Sequence, residues 1–281
     1  PKPVAGPNKI LFYRNGHLTL IDPDGTNPTK VSEDRGEFHP GNAKLSPDGK
    51  RLAVLHQLKE TIGESPRRKL YVRGLDEKVP GTDLGVECQE FFWSADGTEV
   101  GSSEFVDGPG KPPTATHGIV NVKTKEKTAL TLPDGHMITD WSRDGKFFLT
   151  TRVGGDRDKP QARLYLMNRD GTERKALTDE KTSAVFGRLS PDGTRVLFTE
   201  FVPKEETPAE KKARQEAGGA APRPAGKLSV LDVATGKVTE VADTPLNGDV
   251  QGYCWSPDGK KIAYAWRELH DGKPEDLIQT E

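Results

Sequence analysis

Leu45-Ser46-Pro47-Asp48-Gly49, followed by Arg51-Leu52-Ala53-Val54-Leu55, is one copy of a unit that returns through the chain. The other copies are Trp93-Ser94-Ala95-Asp96-Gly97, Trp141-Ser142-Arg143-Asp144-Gly145, Leu189-Ser190-Pro191-Asp192-Gly193 and Trp255-Ser256-Pro257-Asp258-Gly259. Four of the serines stand 48 residues apart, at 46, 94, 142 and 190; the last step, to 256, is 66. A repeat of this length marks an array or a propeller. Ser, often Pro, then Asp and Gly is the composition of a type I turn closing a hairpin. The stretches after each Gly are rich in β-branched and aromatic residues and read as half-buried strands. Asp48, Asp96, Asp144, Asp192 and Asp258 are therefore expected to shape turns rather than act in chemistry.

Extending each unit along the chain predicts four strands per repeat, here A, B, C and D, with the turn motif joining A to B. Radially repeated four-stranded sheets make a β-propeller. Six B strands can be placed, so the fold class expected is all-β, a six-bladed propeller of four-stranded antiparallel blades, with one domain over 1–281. The first blade begins at B (Lys9 to Arg14, with a hairpin turn at Asn15-Gly16), and the last lacks D, its C strand beginning near Pro274. Both terminal blades are thus incomplete in this chain, and their open edges are of a kind proteins normally avoid. The excess of the last step falls between B and C of blade five. That insertion, 203–226, is charged and rich in Ala, Pro and Gly; Thr207-Pro208-Ala209-Glu210 is a capping box, so a short helix is expected there.

Composition narrows the function classes. Hydrophobic residues are 32% and aromatics 7% of the 281 residues, while 30 Gly and 22 Pro suit many tight turns. A net charge of −2 gives no attraction to nucleic acid, and no apolar run is long enough to span a bilayer. Cys88 and Cys254 fall in blades too far apart to bridge and read as small buried residues. No Gly-x-Ser-x-Gly elbow, phosphate-binding Gly loop, Cys-x-x-Cys or His-Glu-x-x-His is present.

In a meander the A–B and C–D turns share one rim, and the B–C loops and D–A connectors share the other. The B–C segments 57–68, 106–117, 152–162, 203–226 and 267–275 read as long and variable, the usual location of binding residues on a rigid scaffold. All six histidines fall near that rim. A strands line the central channel, so His39, Glu87, Glu90, His136, Asp140, Asp249 and Gln251 are the candidate binding residues of a funnel. A His and carboxylate set can bind a metal, but no tight ligand spacing occurs, and the expectation is a polar, hydrated funnel with no metal, no cofactor and no catalytic residue. Lys44, Asp140 and Arg188 hold one position of the repeat and are expected to neutralise each other.

Trp255 to Tyr264 (WSPDGKKIAY) and Leu164 to Thr178 (LYLMNRDGTERKALT) resemble the TolB-type propeller with its WD-like repeat. The resemblance covers nearly the whole chain. It implies a bacterial, periplasmic or otherwise extracytoplasmic protein, monomeric, that binds a protein or peptide through the B–C/D–A rim, without enzymatic activity. Two other readings stay open. One is a metal-assisted carbohydrate enzyme similar to oligogalacturonate lyase; the other is the propeller of a larger enzyme, as in prolyl-oligopeptidase-type proteins.

Overall fold

A computed structural model describes residues 9–14, 17–32, 43–57, 67–75, 77, 81–106, 114–133, 135–156, 159–172, 175–180, 182–202, 207–209, 212, 225–242, 248–270 and 273–280. It contains six antiparallel sheets, each a meander in chain order. The first is β1 (Ile10–Arg14), β2 (His17–Ile21) and β3 (Thr29–Lys30). The second is β4 (Ala43–Leu45), β5 (Arg51–Gln57), β6 (Arg68–Gly74) and β7 (Thr82–Glu87). The third holds β8 (Glu90–Trp93), β9 (Glu99–Val106), β10 (Thr114–Asn121) and β11 (Lys127–Leu130). The fourth runs β12 (His136–Trp141), β13 (Phe147–Asp156), β14 (Lys159–Asn168) and β15 (Lys175–Ala176). The fifth is β16 (Ala184–Leu189), β17 (Arg195–Val202), β18 (Ala225–Asp232) and β19 (Val238–Ala242); the sixth is β20 (Gly248–Trp255), β21 (Ile262–His270) and β22 (Lys273–Thr280). Together they form the expected β-propeller, with three-stranded sheets first and last among the described residues.

The recurring turn closes the same way five times. The Ser hydroxyl donates to the Asp carboxylate at 2.5 Å in Ser46–Asp48, 2.7 Å in Ser94–Asp96 and Ser142–Asp144, and 2.6 Å in Ser190–Asp192 and Ser256–Asp258. The same Ser oxygen accepts, at 2.9 Å, the first backbone N–H of the following stretch, as in Arg51 and Arg195. Each turn Gly sits at φ between +69° and +73°, which a side chain rarely adopts. The carboxyls of Asp192 and Asp258 are held below the usual range, first by the serine hydroxyl. These aspartates are turn staples.

Five apolar clusters join successive sheets. Leu18, Leu52 and Val54 link the first to the second; Leu55, Leu70, Phe91 and Trp93 link the second to the third. Phe92, Ile119, Trp141 and Phe148 join the third to the fourth; Leu149, Leu164, Leu189 and Phe198 the fourth to the fifth; Leu197, Leu228 and Tyr264 the fifth to the sixth.

Where an A strand ends in Trp, a cation lies on the ring. Arg51 stacks over Trp93 at 5.2 Å and donates to Gly97 O at 2.7 Å, while Trp93 Nε1 donates back to Lys44 O at 3.0 Å. Arg195, Trp255, Gly259 and Arg188 repeat this latch between the fifth and sixth sheets. At Trp141 the residue matching Arg51 is Glu99. The cation comes instead from Arg169, 4.7 Å over the ring and paired to Glu99 at 3.0 Å.

Two of the B–C segments differ from their reading as long loops. Residues 152–162 are mostly strand: β13 and β14 stay paired out to Asp156 opposite Lys159, and β21 and β22 do so out to His270 opposite Lys273. Pairing satisfies backbone groups that a loop would leave to water. The fourth strand of the second sheet, β7, starts at Thr82, directly after Gly81 turns the chain at φ +86°. Within the 203–226 insertion, Thr207 is exposed and outside any helix or strand, Pro208, Ala209 and Lys212 have helical backbone, and Ala225 and Gly226 open β18; the remaining residues lie outside those described.

Candidate functional site

The A strand β12 packs against the A strands β8 and β16 of the two neighbouring sheets. Lys44, Asp140 and Arg188 hold equivalent places in their A strands. Rather than chiefly pairing with one another, each fastens to the backbone of a neighbouring sheet. Lys44 Nζ donates to Phe91 O, with Glu90 at 3.8 Å. Asp140 accepts from Leu189 N at 2.7 Å and Trp141 N at 2.9 Å. Arg188 Nη1 donates to Thr139 O at 2.6 Å and Gly187 O at 2.9 Å.

These charges still feel each other. Burial, then the Arg188 charge, pushes the Lys44 ammonium down to about 8, against an ordinary 10.5; Glu90 and Asp140 partly oppose this. Burial raises the Asp140 carboxyl, while Arg188 and the two backbone N–H bonds pull it back. The sign for Lys44 follows from linkage. Its folded pKa is depressed, so the unfolded chain binds that proton more tightly. The resulting penalty on the fold is fully present below about pH 8 and relieved as pH rises toward 10.5. The expected result for Lys44→Met is a stability gap to the wild type that shifts against the variant between pH 7 and pH 10, read as urea midpoints at the two pH values.

The other candidate residues do not gather at one point. Glu87 forms a two-bond pair with Arg67, at 2.7 and 2.8 Å, on the outer strand β7. Glu90 is half exposed beside Lys44. His136, expected to contribute to the funnel, opens β12 and is 1% exposed. Its Nδ1 lies 3.0 Å from Thr150 Oγ1 and its ring meets Tyr165 edge-on at 4.8 Å, so it packs inside the fourth sheet. His117 is likewise inside a strand, 2.8 Å from Ser103 Oγ. Asp249 and Gln251 lie in β20, with side chains outside those described, and His39 lies outside the described residues. Among the described residues no three His, Cys, Asp or Glu side chains stand close enough to hold a metal ion. Cys88 is buried, which pushes its thiol up to about 12, whereas Cys254, expected to be buried, is exposed; both are free thiols.

Sequence reasoning passed over the irregularity of the inner strands. β12 is bulged between Ile138 and Asp140, β16 between Val185 and Arg188, and β20 between Val250 and Gly252. Bulges re-aim side chains and recur next to binding sites. In β16 the bulge leaves Phe186 at φ 56° and 53% exposed. Its carbonyl accepts from Tyr253 Oη at 2.7 Å. The signal was available: Gly187 interrupts an otherwise apolar strand, which marks a bulge or a close backbone approach. On the opposite rim, an open cleft between the third and fourth sheets is lined by Ile119, Leu130, Phe147, Lys146 and Arg169.

No protein-family model matches the sequence. Among solved structures, the fold is similar to a putative TolB from Agrobacterium tumefaciens, with TM-score 0.67 and 20% identity, over 94% of this chain and 88% of that one. TolB from Acinetobacter baumannii matches with TM-score 0.63 and 18% identity, over 99% of this chain and 65% of that one. An oligogalacturonate lyase in complex with manganese matches at TM-score 0.50 and 17% identity, over 96% and 85%. Likeness at these identities establishes the propeller fold, which TolB proteins and enzymes share. Two curated proteins are similar in sequence. A Tol-Pal system protein TolB of Roseobacter denitrificans is 43% identical over 47 residues, 17% of this chain and 11% of that protein. A dipeptidyl-peptidase 5 of Porphyromonas endodontalis is 25% identical over 107 residues, 38% of this chain and 12% of that protein. The matched stretches thus span about a tenth of each relative's length.

Proposed function

We propose that this TolB-like propeller is a non-enzymatic, extracytoplasmic scaffold that binds a protein or peptide through the rim formed by its B–C and D–A connections. It acts as a monomer, as a single domain carrying the 203–226 insertion on that rim. One observation carries the reading: the two rims differ in how freely their connections vary. Four of the five A–B connections are five residues long and the fifth six, all closed by the Ser-x-Asp-Gly bonds. The B–C connections range from two residues, between Asp156 and Lys159, to twenty-two, between Val202 and Ala225. Uniform turns spend their polar groups on themselves, whereas variable segments on a rigid frame are free to meet a partner.

The competing chemistry is a metal-assisted reaction in the funnel. Elemental analysis of protein purified without chelator or a nickel column separates the two. The expected result is transition metal well below one equivalent per chain. One tightly held equivalent would overturn the scaffold reading and make the histidine-bearing rim a catalytic centre.

A further inference from the structure

We propose that the bulged segment Phe186 to Arg188 of β16 is the docking point for a peptide that presents an apolar side chain beside a carboxylate. This deepens the reading above and rests on it, since the segment lies near the D–A end of an inner strand. A bulky residue at φ 56° is a backbone outlier, and such strain persists only where the surroundings enforce it. Here they do so from both sides. Tyr253 Oη, from the sixth sheet, holds the Phe186 carbonyl at 2.7 Å. A side chain at Gly187 would stand 2.6 Å from Leu149 Cδ2 of the fourth sheet, so the chain is fitted closely against that sheet.

The fold gains little from what this strain displays. The Phe186 ring is 53% exposed and so forgoes much of the burial that would repay an apolar residue. An exposed aromatic on a rigid strand is instead a binding anchor of low entropic cost. Two residues on, Arg188 uses only Nη1 on the backbone carbonyls of Thr139 and Gly187. Its Nε and Nη2, one edge of the guanidinium, make no hydrogen bond among the described residues. That edge has the two-donor geometry that takes a carboxylate in parallel bonds. The nearby carboxylates do not fill the role: Asp140 is tied to the N–H groups of Trp141 and Leu189, and Glu90 stands beside Lys44.

The test is a random dodecapeptide library selected on the immobilised wild-type chain, followed by affinity measurement of the enriched peptides. Enrichment of Asp or Glu next to Leu, Ile or Phe is expected. Phe186→Gly and Phe186→Asn, both tolerant of positive φ, are expected to weaken binding by about tenfold or more. Phe186→Gly should meanwhile hold or raise the melting temperature, by roughly 2–4 °C, because strain is relieved. Arg188→Lys should weaken the acidic peptide but not its Gln counterpart. Peptides that bind wild type and Phe186→Gly equally would overturn this inference while leaving the rim reading in place. A library yielding no binder would remove both, and a Phe186→Gly chain that melts well below wild type would mean the ring serves the fold.

Discussion

Replacing Phe148 by alanine is expected to cost about 3–5 kcal/mol of folding stability, the range for emptying an aromatic site in a packed core. Phe148 has no exposed surface and lies in the cluster that joins the third sheet to the fourth. Its ring stands 6.1 Å from Phe92 and 5.3 Å from Trp141, centroid to centroid, so its loss removes contacts on both sides of one interface. Each sheet is held by its neighbours, so a weakened interface is felt beyond the two sheets that form it. The measurement is a urea titration. The midpoint should fall with the slope unchanged; a changed slope would mean that the sheets had begun to unfold separately.

The second large effect is expected at Gly101. Phe92 on β8 faces Gly101 across the sheet, and a β-carbon at Gly101 would lie 2.0 Å from the Phe92 ring. Glycine here is needed for space, because the ring lies flat over the strand. Gly101→Ala must push Phe92 out of the cluster it shares with Trp141 and Phe148, at an expected cost of about 1–3 kcal/mol for an overpacked site. Two combinations check this cause. Phe92→Leu should recover part of the loss in the Gly101→Ala background. Gly101→Ala with Phe148→Ala should cost less than the two changes added, because the displaced ring can move toward the vacated space. Strict additivity would show that the steric account is wrong.

Most of the frame was legible because its cause is local. Ser190, Asp192 and Gly193 satisfy one another within a single turn, so residue types at fixed spacing suffice to read it. Strand edges were less legible. Val153 to Asp156 looked like loop, with its glycines and charges, yet it pairs with 159–162 across a two-residue connection, a hairpin register that composition does not reveal. The site was legible only in part. Lys44, Asp140 and Arg188 do hold one position of the repeat, opposite Ala53, Leu149 and Leu197, but their partners include backbone atoms of other sheets, which no side-chain pattern reveals. His136 looked like a funnel residue because its type suggests chemistry; the packing of Tyr165 and Thr150 decides otherwise. Phe186 was passed over because an apolar residue in a strand normally means core, and only the bulge turns it outward.

The most direct measurement is site-specific photo-crosslinking in the cells that make the protein. A photoreactive residue is placed at exposed positions on each rim, at Gln57 and Val153 for the B–C side and at Thr98 and Lys260 for the A–B side. The expected result is a discrete protein or peptide adduct from Gln57 and Val153 and none from Thr98 and Lys260. Adducts confined to Thr98 and Lys260 would contradict the account and move the binding surface to the rim of the uniform turns.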